Sequence, residues 1–382
     1  MNELPNWAQG DMLTPEENDQ LWYSTISRGD TDLHASLTTP RTSSDFFNRL
    51  KAEPLLDHTR LFRVARHRLE SGKIANLLDD PHRSDFLEYL DSIDETSRII
   101  SDWIPFGYVL NNSPEALCMN TDGGSVIIVS EVVRYALFFM NIGLSDLFGF
   151  DDVPDDVQSA ALMIAARTMT LDETLDFDMD PRGVIPQPIL ARAWGMVSWQ
   201  MKFVIGHEFS HHRLGHLAEG SMPYRAARSP SFSSVERGWL AAKRSWEHEY
   251  EADRGALEAV TDDSNRLHVA NGAIQFFLCL IFFEEVFEGL DADLKEVDTH
   301  PPTEERLRRI VLEFGSAVGI DEEWGVAAAS HMRSISKQLI EMSIDAANIG
   351  TNELESRPLF GWYGSLYLGR WKGPTLIDRV DF

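Results

Sequence analysis

Residues Ile189–His216 read ILARAWGMVSWQMKFVIGHEFSHHRLGH, with apolar side chains on nearly every side of the first four turns. A helix that is apolar all round belongs inside a protein. At its end stand His207-Glu208-Phe209-Ser210-His211. Two histidines four positions apart lie on one helix face, one turn along, so both imidazoles can reach a single ion. The glutamate between them points about 100° round the helix, where it can touch a water on that ion without ligating the ion itself. The bland alternative is a helix end with surface histidines. It fits poorly with the apolar helix before it, in which uncompensated His and Glu are costly to bury.

A catalytic zinc needs a third protein ligand and one open position for water. The next stretch able to supply it is Trp246-Glu247-His248-Glu249-Tyr250-Glu251-Ala252-Asp253. Trp239, Trp246, Tyr250 and Leu257 recur at helical spacing and predict a second amphipathic helix. Glu249 and Asp253 share a face of it and would repel each other unless something positive neutralised them. A metal and its histidines would do so, with Glu249 as ligand and Asp253 accepting an imidazole N–H. The competing reading makes both carboxylates ordinary ion-pair partners of Arg244 or Arg254. His248 and Glu247 are rival ligands that face away if Glu249 faces in.

Farther out the chain is less eloquent. Residues 1–45 are polar with little periodicity and read as an irregular arm; from Asp45 to Trp103, patterns such as FFNRLKAEPLL and SDFLEYLDSI predict a small helical region. Thr121–Val129 (TDGGSVIIV) reads as a turn leading into a strand, and Glu131–Ile142 (EVVRYALFFMNI) as a buried helix. The Asp-rich residues 150–181 read as an acidic surface excursion. The apolar run Gly272–Phe283 falls short of the ~20 residues of a membrane span and reads as a core helix.

The order of these motifs resembles the HtpX and CAAX-prenyl-protease family of gluzincin metallopeptidases. HEFSHHRLGH supplies His207, Glu208, His211 and His216; EYEAD supplies Glu249, Ala252 and Asp253; THPPTEER supplies His300, Pro301, Pro302 and Arg306. The likeness runs over about residues 117–312. It implies an α+β, mostly helical fold: a zincin-like metallopeptidase core with a small β-sheet and the HExxH active-site helix. It implies one Zn2+ per chain on His207, His211 and Glu249, with Glu208 as base and His300 or Arg306 near the oxyanion. His300 has a second reading, as part of a turn that merely leads a helix. His212 reads as a solvated histidine, and His216 as a cation ending the helix, where it suits the dipole. The strand Ser125–Val129 looks like the family's substrate-aligning edge strand, with an internal strand as the other reading. The expected division is 1–100 for arm and helical region, 101–342 for the metallopeptidase domain and 343–382 for an aromatic tail packing on the core. The loop Leu217–Gly238 would be a flap that gates the cleft.

Composition bounds the partners. In 382 residues, 34 basic face 61 acidic ones, a formal net charge of −27, which disfavours nucleic acid and anionic membrane surfaces. Two cysteines, Cys118 and Cys279, make no disulfide scaffold, and no basic-then-apolar leader opens the chain. The expectation is a cytoplasmic zinc endopeptidase acting on a protein or peptide, without a membrane span. Two alternatives stand beside it: a narrowly specific protease of the phage-exclusion or stress-response kind, and a non-catalytic metal-stabilised binding module.

Overall fold

The structure is a computed structural model and describes residues 15–111, 113–149, 153–170, 173, 175–217, 246–289, 300–350 and 366–371. Six helices lead the chain: α1 (Pro15–Ser27), α2 (Thr31–Thr38), α3 (Ser43–Asp57), α4 (Thr59–Glu70), α5 (Ser84–Ser92) and α6 (Glu95–Ser101). Three strands follow, β1 (Phe106–Val109), β2 (Ala116–Thr121) and β3 (Gly124–Ser130), then α7 (Glu131–Gly143), α8 (Asp155–Met169) and α9 (Gln187–Arg213). The remaining helices are α10 (Trp246–Glu258), α11 (Asp263–Gly289), α12 (Thr303–Phe314) and α13 (Glu322–Gly350). The described residues are thus mostly helical with one small sheet.

The sequence misleads at both polar stretches. Within residues 1–45, α1 buries Tyr23 and Ile26, and α2 buries Leu37 beneath an N-cap in which the Asp30 carboxylate accepts from the amides of Asp32 and Leu33. An apolar stripe that narrow is invisible as periodicity, yet the cap satisfies amides that would otherwise go unmet. Within residues 150–181, Asp155 and Asp156 open α8, while Asp176, Asp178 and Asp180 follow it and pair with the buried Arg182 and Arg68. The body of α8, VQSAALMIAARTM, packs on α7 through small alanines and buries Val157, Ala161, Ile164 and Ala165.

The sheet order is β1-β3-β2, with β1 parallel and β2 antiparallel to β3. The turn at Asp122-Gly123 joins β2 to β3 as the glycines suggest, with the Thr121 hydroxyl donating to the Gly124 carbonyl at 2.6 Å. β3 is the central strand, paired on both sides, so the expectation of an edge strand at Ser125–Val129 is corrected. The edge beside α9 is β2.

One apolar core runs from Tyr23 to Leu368 and includes α7, α9 and α11. The first turns of α9 bury only Ile189, Ala193 and Val197 while Ala191, Arg192 and Gly195 are exposed, so the all-round reading is corrected there; from Gln200 to His211 every residue is buried. Tyr89 of α5 lies so close that a Cβ on Gly206 would meet its ring at 2.7 Å, so only glycine fits there. The Tyr89 hydroxyl continues to the Ala256 carbonyl of α10 at 3.2 Å, tying α5 to both helices of the candidate site. α11 is long and apolar enough to cross a membrane, yet Phe277, Leu278, Cys279 and Phe282 are fully buried, matching the core-helix reading. Of the aromatic tail, residues 366–371 pack on the core: Leu368 is buried, and its amide donates to the Arg182 carbonyl at 2.8 Å. The expected flap at 217–238 lies outside the described residues except Leu217, which is buried.

Candidate metal centre

Helix periodicity delivers His207 and His211 to one face of α9, and α10 runs alongside to present Glu249. The two imidazole Nε2 atoms face each other at 3.0 Å. Glu249 closes the triangle, Oε2 lying 3.4 Å from His207 Nε2 and Oε1 3.4 Å from His211 Nε2. All three residues are buried, and their ligand atoms lie within 4.8 Å of one another. Trp246 and Glu247 are exposed, so α10 turns Glu249, Ala252 and Asp253 inward rather than the tryptophan face the spacing suggests. Of the two ion-pair partners considered, Arg254 pairs instead with Glu258 and Glu313 on the surface, and Arg244 lies outside the described residues.

Asp253 Oδ1 lies 2.9 Å from His207 Nδ1, and Arg306 of α12 grips both Asp253 oxygens at 2.8 and 2.6 Å. A carboxylate so clamped accepts only, so the proton on His207 sits on Nδ1 and Nε2 faces the centre. Arg306 is buried against Phe277, with its Nη1 3.7 Å from Glu249 Oε2. His300, just ahead of the Pro302 N-cap of α12, places Nδ1 2.9 Å from Glu249 Oε2 while remaining about half exposed. Glu208 is buried, and its Oε2 accepts from the backbone amide of Cys118 on β2 at 2.6 Å.

Among the described residues, Glu249 and Asp253 face the one guanidinium of Arg306. The protonation equilibria register a demand for positive charge. Burial alone would lower the His207 pKa, but Asp253 and Glu249 overcome it and raise it to about 9. Burial would likewise raise Glu249, yet His207, His211 and His300 hold it far below the ordinary carboxylate range. Two imidazole nitrogens and a carboxylate converging in a buried pocket suit one divalent cation of borderline softness.

Two contacts here escaped the sequence reading. His216 does not simply end the helix as a cation: its Nδ1 lies 2.9 Å from His211 Nδ1, its Nε2 lies 3.1 Å from Glu251 Oε2, and its ring stacks on His248 at 4.2 Å. The local signal was the dipeptide Gly215-His216 at a helix end. The Cys118 amide had no signal, since it meets Glu208 across 90 positions of chain. His212 is partly buried and takes no part among these contacts.

Searches of curated proteins and of solved structures returned no match. Residues 190–325 match the family model Peptidase U49, a span from α9 into α13 that holds every candidate site residue but leaves the sheet outside. That match supports a peptidase in general, not the HtpX and CAAX-prenyl-protease family in particular.

Proposed function

We propose that this chain is a zinc-dependent endopeptidase that hydrolyses peptide bonds of a cytoplasmic protein, with His207, His211 and Glu249 holding one zinc. The observation that carries the proposal is the convergence of three donors from two helices in one buried pocket, beside a carboxylate outside that donor set. When bound, zinc supplies Lewis acidity, lowering the pKa of a coordinated water towards neutrality and polarising the scissile carbonyl.

The chain's own groups do the rest. Glu208 takes a proton from the attacking water and returns it to the leaving amine. The Cys118 amide at 2.6 Å fixes the plane of that carboxylate. Because the Cys118 N–H points away from β3, β2 offers an outward backbone edge beside the base, to which an extended substrate can add as a further strand. His300, half exposed at the rim and 2.9 Å from Glu249, is the candidate donor to the developing oxyanion. Arg306 has Nε and Nη2 committed to Asp253, so its task is to orient His207 rather than to touch the carbonyl.

A metal-stabilised binding module would need no base and would close the ion with a fourth protein ligand. Among the described residues the converging set is three, and Glu208, next to His207 in the chain, is the carboxylate this reading casts as base. The test compares wild type with Glu208→Gln in zinc content and turnover of a peptide library. Zinc should stay near one per chain while turnover falls by roughly 10²–10⁴. Undiminished turnover in Glu208→Gln would end the peptidase reading.

A further inference from the structure

We propose that His216 is a positioning residue for the metal centre: it accepts the Nδ1 proton of His211 and so fixes the tautomer that turns His211 Nε2 towards the ion. The inference rests on His207, His211 and Glu249 being metal ligands, and adds a role that neither the motif nor the family match assigns.

The end of α9 is built to deliver this contact. Gly215 adopts a left-handed backbone, with φ of 74°. Its amide donates to the His212 carbonyl at 3.2 Å, and the His216 amide donates to the His211 carbonyl at 3.0 Å. These bonds make a Schellman motif, in which the residue after the glycine folds its side chain back onto the residue five positions before it. That contact is ordinarily apolar. Here the earlier residue is His211, and the two rings meet at 5.1 Å between centroids with Nδ1 facing Nδ1 at 2.9 Å.

Only one distribution of protons satisfies this chain when an ion is held. His211 Nε2 faces His207 Nε2 and Glu249, so its proton belongs on Nδ1. His216 Nδ1 must then accept, which leaves the His216 proton on Nε2, where Glu251 Oε2 receives it at 3.1 Å. The arrangement parallels the other ligand, since His207 Nδ1 meets Asp253, itself held by Arg306. Each ligand imidazole thus has its own acceptor, one a buried carboxylate and the other a buried imidazole.

His216, His248 and Glu251 also have ligand atoms within 4.8 Å of one another, and so could be read as a second ion site. Two features oppose that reading. An ion on His216 Nε2 would push the remaining proton onto Nδ1, where it would confront the Nδ1–H of His211 at 2.9 Å. The His216 and His248 rings are nearly parallel, 7° apart, so their in-plane lone pairs run side by side instead of converging.

The experiment uses the full chain and measures zinc affinity by competition with a chelating dye, with apo unfolding as the fold control. His216→Phe keeps a ring but removes the acceptor, and should weaken zinc binding by about 10–100-fold. His216→Asn puts an amide oxygen where Nδ1 stands and should restore most of that loss. Selective ¹⁵N-histidine NMR of the zinc-loaded wild type reads the tautomer directly, whatever the fate of the variants: His216 should be protonated at Nε2 and bare at Nδ1. Unchanged zinc affinity in folded His216→Phe, or the opposite tautomer, overturns the proposal. So does a second tightly bound zinc that disappears in both His216→Phe and His248→Ala, which would make His216 a ligand. If the wild type binds no divalent ion, the underlying metal reading fails as well.

Discussion

Two of the buried charge clusters in this fold are built on opposite principles. Arg68 of α4 reaches both oxygens of Glu131 at 2.8 and 2.6 Å and Asp178 at 2.5 Å, while Lys73 reaches Asp178 at 3.1 Å. Two cations meet two carboxylates there, and the cluster closes on itself. Around His207, Glu249 and Asp253 share one guanidinium among the described residues, with imidazole nitrogens facing each other at 3.0 Å. A closed cluster holds α4 to α7; an open one asks for an ion. Burial and hydrogen bonding alone do not separate the two, whereas the convergence of two imidazole nitrogens on a carboxylate does.

Variants should therefore respond to zinc in one cluster and ignore it in the other. Glu249→Gln removes the third donor and should take peptide turnover to background. Zinc at a hundred times its dissociation constant should stabilise wild type by about 2.7 kcal/mol. The variant should gain little from the same concentration in a denaturant melt. A variant that kept both the gain and the turnover would break the contrast at its centre.

Arg68→Met tests the closed cluster. It strands Glu131, which is buried at 3% side-chain exposure, and should cost about 3–5 kcal/mol. The cost should be equal with and without zinc, and turnover per folded molecule should not change. A zinc-dependent penalty would mean that the two clusters are coupled.

Why one cluster could be anticipated and the other could not is a matter of spacing. His207 and His211 are four residues apart, and Glu249 and Asp253 repeat that interval, so helix geometry alone pairs them. α7 was equally legible, because a helix buried nearly all round leaves no polar face to misread, whereas the apolar first turns of α9 keep Ala191, Arg192 and Gly195 exposed. Arg68 meets Asp178 across 110 positions, and no local pattern announces such a pair. The same limit explains the mistaken edge strand. β3 has the apolar run, but centrality depends on the distant β1 joining its other side. Alanine-rich α8 failed differently, since small residues pack helices closely without the long apolar run that draws attention.

Acid provides a finer comparison. Burial would raise the Asp178 pKa, but Arg68 and Lys73 overcome it and hold it at about 2. A folded pKa below the ordinary 3.8 of an aspartate means stability that is present above about pH 4 and lost as pH falls through about 2. Asp178→Asn should therefore lie about 2 kcal/mol below wild type at pH 7, with the gap closing near pH 2 in urea unfolding. A gap that persisted undiminished in acid would show that Asp178 acts there through packing and not through charge.

The smallest effect probes the junction between backbone and site. A Cβ on Gly215 would meet no atom within 4 Å, so Gly215→Ala introduces no clash and tests only the left-handed φ of 74°. The conformational cost should be about 1 kcal/mol, read by denaturant unfolding of the zinc-free protein. Because the helix end sets the direction of His216, zinc affinity should fall as well, by less than in His216→Phe. Asn tolerates the left-handed region better than Ala, so Gly215→Asn should recover part of both losses. If Gly215→Ala lost stability but bound zinc as wild type does, the turn would stabilise α9 without governing its histidine. If stability and affinity fell together and returned together in Gly215→Asn, one glycine at the end of α9 would control how well His211 is held.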